Sequence, residues 1–327
     1  MTTGEVLTRV TAVGLLIGAV IAPGTARGQT EVVLLSADEP LLGSDTAIIL
    51  GGTFMPTPST DYAQTAENLY LNPLGFLGGA MDSTVCDMSG TDPCSAPLQV
   101  LTTPELIFEG PSTQTDTSDI VLAVRNEFEA NPGAFSAEHP LTIFGYSQSA
   151  GAESLANSRL EADGIPLQDL HFVFIGDPST PGGVWPNMEA DLVSWLGPSD
   201  ANAFIKFFEL DGALGIQTPT DLYPTTIYTL DTDGVADWQA DYDAGGMNAG
   251  GFLDSLEHFL VQHAEYLGLT PSEIADATTS TDGGLTYIDI SDNVNNGAAW
   301  FEALGHGLVD SGLFQSLFAS IEYALSG

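Results

Sequence analysis

Short apolar runs alternate with amphipathic stretches along most of this chain. The apolar runs at 141–144 and 170–175 have the length of buried strands, and we predict further strands at 46–50, 226–230 and 283–290. Helical spacing of apolar positions predicts helices at 61–70, 116–130, 148–160, 252–267 and 298–325. Because strands alternate with helices, the pattern predicts an α/β fold, with a mainly parallel central sheet and helices on both faces.

Two stretches interrupt this alternation. Residues 72–116 are rich in Gly, Pro, Ser, Thr and Asp, and are predicted to form a long surface insertion with one short strand at 105–108. Residues 178–200 hold Trp185 and Trp195, which we interpret as cover for the core, with the lining of a substrate pocket as the alternative. A further short strand is predicted at 203–208.

The charge balance narrows the classes of partner. The 327 residues include 44 acidic side chains against 5 Lys and Arg, for a formal net charge of −39. Such a chain repels nucleic acids and anionic membranes, so neither is an expected partner. The acidic residues are scattered and form no calcium-loop motif, which favours a role in solubility over metal binding.

The first residues have the features of an export signal. Arg9 precedes an apolar run at 10–21, and Pro23 and small residues follow it. We predict a signal peptide at 1–28, cleaved near Ala26 or Gly28, followed by one catalytic-type domain at 29–327. An uncleaved N-terminal anchor is the alternative, and either reading predicts a secreted or cell-envelope protein.

Export would expose the two cysteines, Cys86 and Cys94, to oxidising conditions. A disulfide that closes the loop between them is the expected outcome, and two separate buried thiols are the alternative. Two cysteines alone are too few for a typical zinc site, and no metal is predicted.

The strand at 141–144 leads into the segment that carries the most chemical information. Gly145-Tyr-Ser-Gln-Ser149 places Ser147 between this strand and a predicted helix, which is typical of a nucleophile elbow. The motif departs from the usual G-x-S-x-G only in its last position. The alternative is a plain connection with a solvated serine.

A Gly-Gly turn after the first predicted strand suits a second part of such a site. Gly51-Gly52-Thr53 lets backbone N–H groups approach a ligand closely. The N–H groups of Thr53 and Gln148 are therefore the candidate donors of an oxyanion hole, with a simple loop as the alternative.

An acid and a base follow later in the chain. Asp233 and Asp237 both come after the strand at 226–230, and Asp233 is preferred because Asp-x-Val returns the valine to the core. His263 lies on the apolar face of the helix predicted after them, where a buried structural histidine is the alternative. The other histidines are predicted at strand starts, on a solvated face or in a Gly-rich break: His139, His171, His258 and His306. The order Ser, Asp, His is that of an α/β-hydrolase triad.

These motifs resemble the PE-PPE domain family of mycobacterial and related actinobacterial serine hydrolases. The resemblance rests on 51–59 (GGTFMPTPS), 145–149 (GYSQS) and 228–237 (YTLDTDGVAD), and covers roughly 45–290. It implies a cutinase-like α/β-hydrolase fold with Ser147 as the nucleophile and His263 as the base. The acid falls within the segment from Asp233 to Asp237, and no cofactor is implied.

Three functions remain in view. The first is an exported esterase that cleaves small acyl esters or glycolipids. The resemblance also implies an acyltransferase that moves acyl chains between trehalose esters with the same triad. A non-catalytic envelope protein is the third, and no obligate protein partner is evident from the sequence.

Overall fold

One sheet organises the computed structural model of the chain, which describes residues 40–78, 82–231, 233–244, 258, 262–291, 299 and 302–303. The signal peptide predicted at 1–28 lies outside this range. The strands are β1 (Ala47–Ile49), β2 (Val85–Asp87), β3 (Leu98–Val100), β4 (Leu141–Tyr146), β5 (Leu170–Ile175), β6 (Thr225–Leu230), β7 (Thr278–Asp282) and β8 (Leu285–Ile290).

The strand order is β2-β3-β1-β4-β5-β6-β8-β7. Neighbours pair in parallel from β2 to β8, and only the β7–β8 hairpin at one edge is antiparallel. The order predicts that residues following β1, β4 and β6 meet at one end of the sheet, because parallel strands present their carboxyl ends on the same side.

The described helices cover this sheet. They are α1 (Thr60–Ala66), α2 (Glu109–Ala130), α3 (Gln148–Ala162), α4 (Val184–Leu196), α5 (Pro198–Phe207), α6 (Trp238–Ala244) and α7 (Pro271–Ala275). Shorter turns complete them: a π-turn at Glu67–Leu71 and 3-10 turns at Asn72–Leu74, Leu167–Asp169, Leu210–Gly212, Gln262–Ala264 and Tyr266–Gly268. Within the described ranges, none of these helices combines the length and apolarity that a membrane crossing needs.

Alternate residues of the central strands feed two separate cores. Phe144, Val173 and Tyr228 pack on one face of the sheet. Ile143 and Phe172 pack on the other face, against helix residues that include Ile120 of α2. Both faces are therefore buried, which explains the near-continuous apolar runs of β4 and β5.

The segment at 72–116 has a larger part in the sheet than the surface insertion that we predicted. It supplies β2 and β3, and β3 pairs directly with β1. A disulfide joins Cys86 in β2 to Cys94 in the following loop. No strand forms at 105–108, and α2 begins at Glu109, seven residues before the predicted start at 116. The first turns of α2 bury polar side chains, so apolar periodicity could not reveal them.

Two further assignments change between 178 and 208. The irregular stretch predicted at 178–200 contains α4, and the strand predicted at 203–208 is the end of α5 and the residue after it. A short apolar run does not by itself distinguish strand from helix, and Pro198 in the first turn favours the helix.

Later assignments are tested only in part. Of the helix predicted at 252–267, the described residues from 262 onward form two 3-10 turns, Gln262–Ala264 and Tyr266–Gly268. Most of its first part, and most of the helices predicted at 298–325, lie outside the described residues.

Candidate active site

Ser147 occupies a sharp bend between β4 and α3. Its backbone φ of 58° and ψ of −117° lie in a region that residues with a Cβ rarely adopt. Such strain persists only where the surroundings fix it, and here the Ser147 N–H donates to the Ile175 carbonyl of the adjacent strand. Ser149 braces the same bend, since its hydroxyl accepts the Tyr146 N–H at 2.9 Å. The bend thus presents the Ser147 hydroxyl at the carboxyl end of the sheet.

His263 and Asp233 complete a hydrogen-bonded line from this hydroxyl. His263 Nε2 lies 2.7 Å from Ser147 Oγ. On the other side of the ring, Nδ1 lies 2.9 Å from both carboxylate oxygens of Asp233. All three residues are buried, with 7%, 5% and 0% of Ser147, His263 and Asp233 exposed. A serine hydroxyl, an imidazole and a carboxylate in this sequence can pass a proton from the hydroxyl to Nε2.

The position of the imidazole depends on its neighbours. Gly176 has a φ of 58°, and a Cβ there would lie 2.7 Å from the His263 ring carbon Cε1, so the glycine leaves the space that the ring fills. The Tyr146 hydroxyl donates to the His263 carbonyl at 2.5 Å. The residue before the nucleophile therefore holds the backbone of the residue that carries the base.

Asp233 is held by several donors. The Val235 N–H donates to Oδ1 at 2.7 Å and the Tyr266 hydroxyl donates to Oδ2 at 2.6 Å. Burial alone would raise the pKa of Asp233, but His263 and these hydrogen bonds outweigh burial and lower it. Burial and the nearby carboxylate raise the pKa of Tyr266, which keeps its hydroxyl a donor. Asp233 is thus an anion placed to fix the orientation of the imidazole.

The other candidates lie elsewhere. Asp237, the alternative acid, is half-buried beside Gly182. His139 is exposed, and its Nδ1 forms a hydrogen bond with the Gly43 carbonyl. His171 is buried, and its Nε2 forms a hydrogen bond with the Thr226 hydroxyl; burial lowers its pKa to about 4. His258 is half-buried, and His306 lies outside the described residues.

The two candidate oxyanion donors flank Ser147. Gly52 packs so tightly that a Cβ there would lie 3.1 Å from Ser147 Cβ, which brings Thr53 next to the nucleophile. Gln148 follows Ser147 and opens α3, where backbone N–H groups lack helical acceptors. Among the described residues, neither the Thr53 nor the Gln148 N–H has a protein acceptor. Both therefore stay candidate donors to a ligand oxygen.

A cavity of about 410 Å³ opens onto Ser147. Its polar lining is confined to the end near the nucleophile, where Thr53, Glu109 and Gln148 lie. The remaining wall is mainly apolar and aromatic, formed by Ile107, Val184, Trp185, Met188, Phe204, Phe208, Leu210, Val235 and Trp238. Trp185, which we interpreted as core cover, is therefore part of the wall of this cavity. The lining suits an apolar chain attached to a polar reacting group.

Comparison with known proteins decides the family. A family model described as the PE-PPE domain matches residues 96–293, more than half of the chain. The chain belongs to the PE-PPE domain family.

Relatives of this PE-PPE domain occur in Mycobacterium tuberculosis. The uncharacterized PPE family protein PPE28 is 29% identical over 72% of this chain and 31% of its own length. Esterase PE16 is 28% identical over 79% of this chain and 44% of its own length. The chain thus spans less than half the length of these curated relatives.

Among solved structures, a novel cutinase-like protein from Cryptococcus sp. aligns with a TM-score of 0.35 and 16% identity. The alignment covers 68% of this chain and 98% of that chain. Similarity at this level carries no information on activity.

Sequence reasoning missed two residues of the site, Tyr266 and Glu109. Tyr266 lies three residues after His263, a spacing that would bring it near the same partner in a helical turn. Glu109 lies before the predicted start of α2, and no local pattern marked it.

Proposed function

We propose that this PE-PPE domain is a serine hydrolase that cleaves carboxylic esters. The observation that carries the proposal is the unbroken hydrogen-bonded line from Ser147 Oγ through His263 to Asp233. The family membership and the relative described as an esterase support the same class of reaction. We assign the roles of nucleophile, base and acid to Ser147, His263 and Asp233.

The chemistry follows from the positions of these atoms. Ser147 Oγ attacks the ester carbonyl carbon while its proton moves to His263 Nε2. The carbonyl oxygen becomes an oxyanion that the N–H groups of Thr53 and Gln148 stabilise, an effect worth roughly 3 kcal/mol per donor in other enzymes. The carbon–oxygen ester bond then breaks, and His263 returns the proton to the departing alcohol oxygen. Asp233 stabilises the imidazolium that exists between these two transfers.

The acyl group left on Ser147 is then removed by a second attacking O–H group. In a hydrolase, water attacks the acyl carbonyl carbon while it gives a proton to His263 Nε2. The bond between the acyl carbon and Ser147 Oγ then breaks, His263 returns the proton to Oγ, and the carboxylic acid leaves. In the acyltransferase that we keep as the second candidate, a sugar hydroxyl takes the place of water. The apolar wall would hold the acyl chain in either reaction, and the attacking hydroxyl would act at the polar end of the cavity, beside Ser147.

The wall also suggests the acyl part of the substrate. Each buried methylene contributes about 0.8 kcal/mol, so kcat/KM is expected to rise about fourfold per added carbon until the cavity is full. The assay is a series of p-nitrophenyl esters of increasing acyl chain length, beginning with the acetate. The ester group would bind at the Thr53 end of the cavity.

Export remains part of the proposal. The Cys86–Cys94 disulfide supports an oxidising compartment. Fractionation of the expressing cells, with mass determination of the N-terminus of the exported protein, would test both export and cleavage near residue 28.

Labelling by a fluorophosphonate probe tests the central assignment. The wild-type protein should be labelled, and the Ser147→Ala variant should not. Ser158 is exposed on α3, the helix that follows Ser147, and the Ser158→Ala variant should be labelled as the wild type is. Absence of labelling in the wild type would favour the non-catalytic envelope protein. Product analysis with a trehalose ester as both donor and acceptor then separates hydrolysis from transfer.

A further inference from the structure

Glu109 joins the two segments that carry the candidate oxyanion donors. It is the first residue of α2 and lies half-buried at the cavity. Its Oε1 accepts the Thr53 hydroxyl at 3.1 Å, and its Oε2 accepts the Gln148 side-chain amide in a short hydrogen bond. Thr53 follows β1 and Gln148 follows β4, so one carboxyl group connects both loops.

The segment around Glu109 reinforces the same connection. The Phe54 N–H donates to the Glu105 carbonyl at 2.8 Å, which fixes the loop after Thr53. The Gln148 amide also donates to the Leu106 carbonyl, and its oxygen accepts the Ser112 hydroxyl, both at 2.8 Å. The side chain of Gln148 is thereby held by this segment at both of its polar atoms.

We propose that Glu109 is a positioning residue for the oxyanion hole, which sets the separation of the Thr53 and Gln148 N–H groups through their side chains. This rests on the proposed esterase function. Oxyanion stabilisation depends on donors that are already in place before the charge develops. Loosening either loop therefore reduces stabilisation of the transition state more than it reduces binding of the ester.

A neutral Glu109 can keep both contacts, because one oxygen still accepts the Gln148 amide while the protonated oxygen donates to the Thr53 hydroxyl. Burial raises the pKa of Glu109 to about 7, against the opposing effect of hydrogen bonds from Gln148 and Thr53. An ionised carboxylate here would place negative charge beside the developing oxyanion and oppose it. Activity should therefore decline as pH rises through about 7.

Several charged groups surround this carboxyl. Glu105 and Asp116 lie on the same segment, and burial together with neighbouring carboxyls raises the pKa of both. In the described lining of the cavity, Glu109 is the one ionisable carboxyl, and His263 approaches from the far side of Ser147. Lys206, Glu209 and Asp211 line a separate surface cleft at Gly110.

Two substitutions test the proposal. Glu109→Gln retains both hydrogen bonds, because its amide oxygen can accept from Gln148 and its N–H can donate to the Thr53 hydroxyl, but it cannot ionise. Glu109→Leu removes both. Glu109→Leu should lower kcat roughly 10- to 100-fold with KM changed less than about threefold, and should weaken a trifluoromethyl ketone inhibitor to the same extent as kcat.

Glu109→Gln should restore most of the kcat lost in Glu109→Leu and remove the alkaline decline of the wild type. Gln114→Leu, an exposed residue of the same helix, is the matched control and should behave as the wild type.

Three results would overturn the proposal: a normal kcat in Glu109→Leu, a rise in KM alone, or an alkaline decline that persists in Glu109→Gln. If Glu109→Leu fails to fold by circular dichroism, the pH profile of Glu109→Gln decides. Ester cleavage that survives in Ser147→Ala would instead refute the proposed function, so the two failures are distinguishable.

Discussion

The Tyr266 hydroxyl donates to Asp233 Oδ2 at 2.6 Å and accepts the Leu230 N–H at 2.9 Å. It therefore ties the carboxylate to the end of β6, the strand that delivers Asp233 to the site. Asp233 receives this bond on the oxygen opposite the one that Val235 occupies, which leaves little freedom for the carboxylate to rotate.

Removal of this hydroxyl should slow catalysis without abolishing it. A hydrogen bond to a charged group is worth about 1.5–3 kcal/mol, so Tyr266→Phe should lower kcat by roughly 10- to 150-fold. Steady-state kinetics measure this. Tyr223→Phe removes a hydroxyl that donates to the Ile165 carbonyl and serves as the control for loss of a tyrosine hydrogen bond. Equal kinetic losses in the two variants would contradict a specific role for Tyr266.

Asparagine substitution should distinguish the two candidate acids. Asp233→Asn keeps the shape of the side chain but removes the charge that stabilises the imidazolium, and it favours the wrong tautomer of His263. We expect kcat to fall about a thousandfold to ten-thousandfold. For Asp237→Asn, kcat should stay within about twofold of the wild-type value. Asp237 lies beside Gly182, whereas the carboxylate that contacts His263 Nδ1 is that of Asp233. The reverse ranking would make Asp237 the acid.

We expect the free energy of unfolding to fall as pH rises, because burial raises the pKa of several carboxyl groups. Burial raises the pKa of Asp177 to about 6 and that of Glu109 to about 7, and it also raises the pKa of Glu153. The native state holds these protons at pH values where the unfolded chain has released them. The stability that Asp177 and Glu109 contribute is therefore lost as pH rises from about 4 through about 6 and about 7, respectively. Asp233 acts in the opposite direction, because its lowered pKa removes stability as pH falls.

Thermal unfolding measured across this pH range should therefore give a higher Tm near pH 5 than near pH 8. Asp177→Asn should reduce the slope, because its amide can still bond Thr218 and the Ser179 N–H without ionising. A slope that is unchanged in this variant would exclude Asp177 as a contributor.

Loss of the disulfide should affect stability and spare activity. The Cys86–Cys94 bond closes a short loop, for which chain entropy predicts a contribution of about 2–3 kcal/mol. The bond lies at β2, on the outer edge of the sheet, while the nucleophile follows the central strand β4. Cys86→Ala with Cys94→Ala should lower Tm and leave kcat/KM within about twofold. A large loss of kcat/KM in a folded double variant would show that the edge strand supports the site.

The sequence predicted those parts of the site that follow strands. Ser147 comes directly after β4, and Asp233 comes three residues after the end of β6; both strands are buried on their two faces. The family of the chain was predicted from the same segments and is confirmed. His263 was predicted on a longer helix, whereas the described residues around it form short 3-10 turns.

The parts that escaped prediction depend on contacts distant in sequence. The cavity wall draws on α4 and α5, which periodicity assigned to loop and strand. Glu109 contacts Gln148, 39 positions later in the chain, and no local pattern encodes that pairing. Buried polar residues such as Ser112 and Asp116 concealed the start of α2, since an apolar stripe is the signal that identifies a helix.

The two outer strands of the sheet have a consequence for the behaviour of the folded protein at high concentration. β7 is exposed along its whole length and consists of Thr, Ser and Asp, while β2 is only three residues long and carries a cross-link. Short, polar or covalently restrained margins are poor templates for strands of another molecule. Edge-to-edge association into fibrils should therefore be disfavoured at both rims, even though the strands between them are among the most apolar segments of the chain.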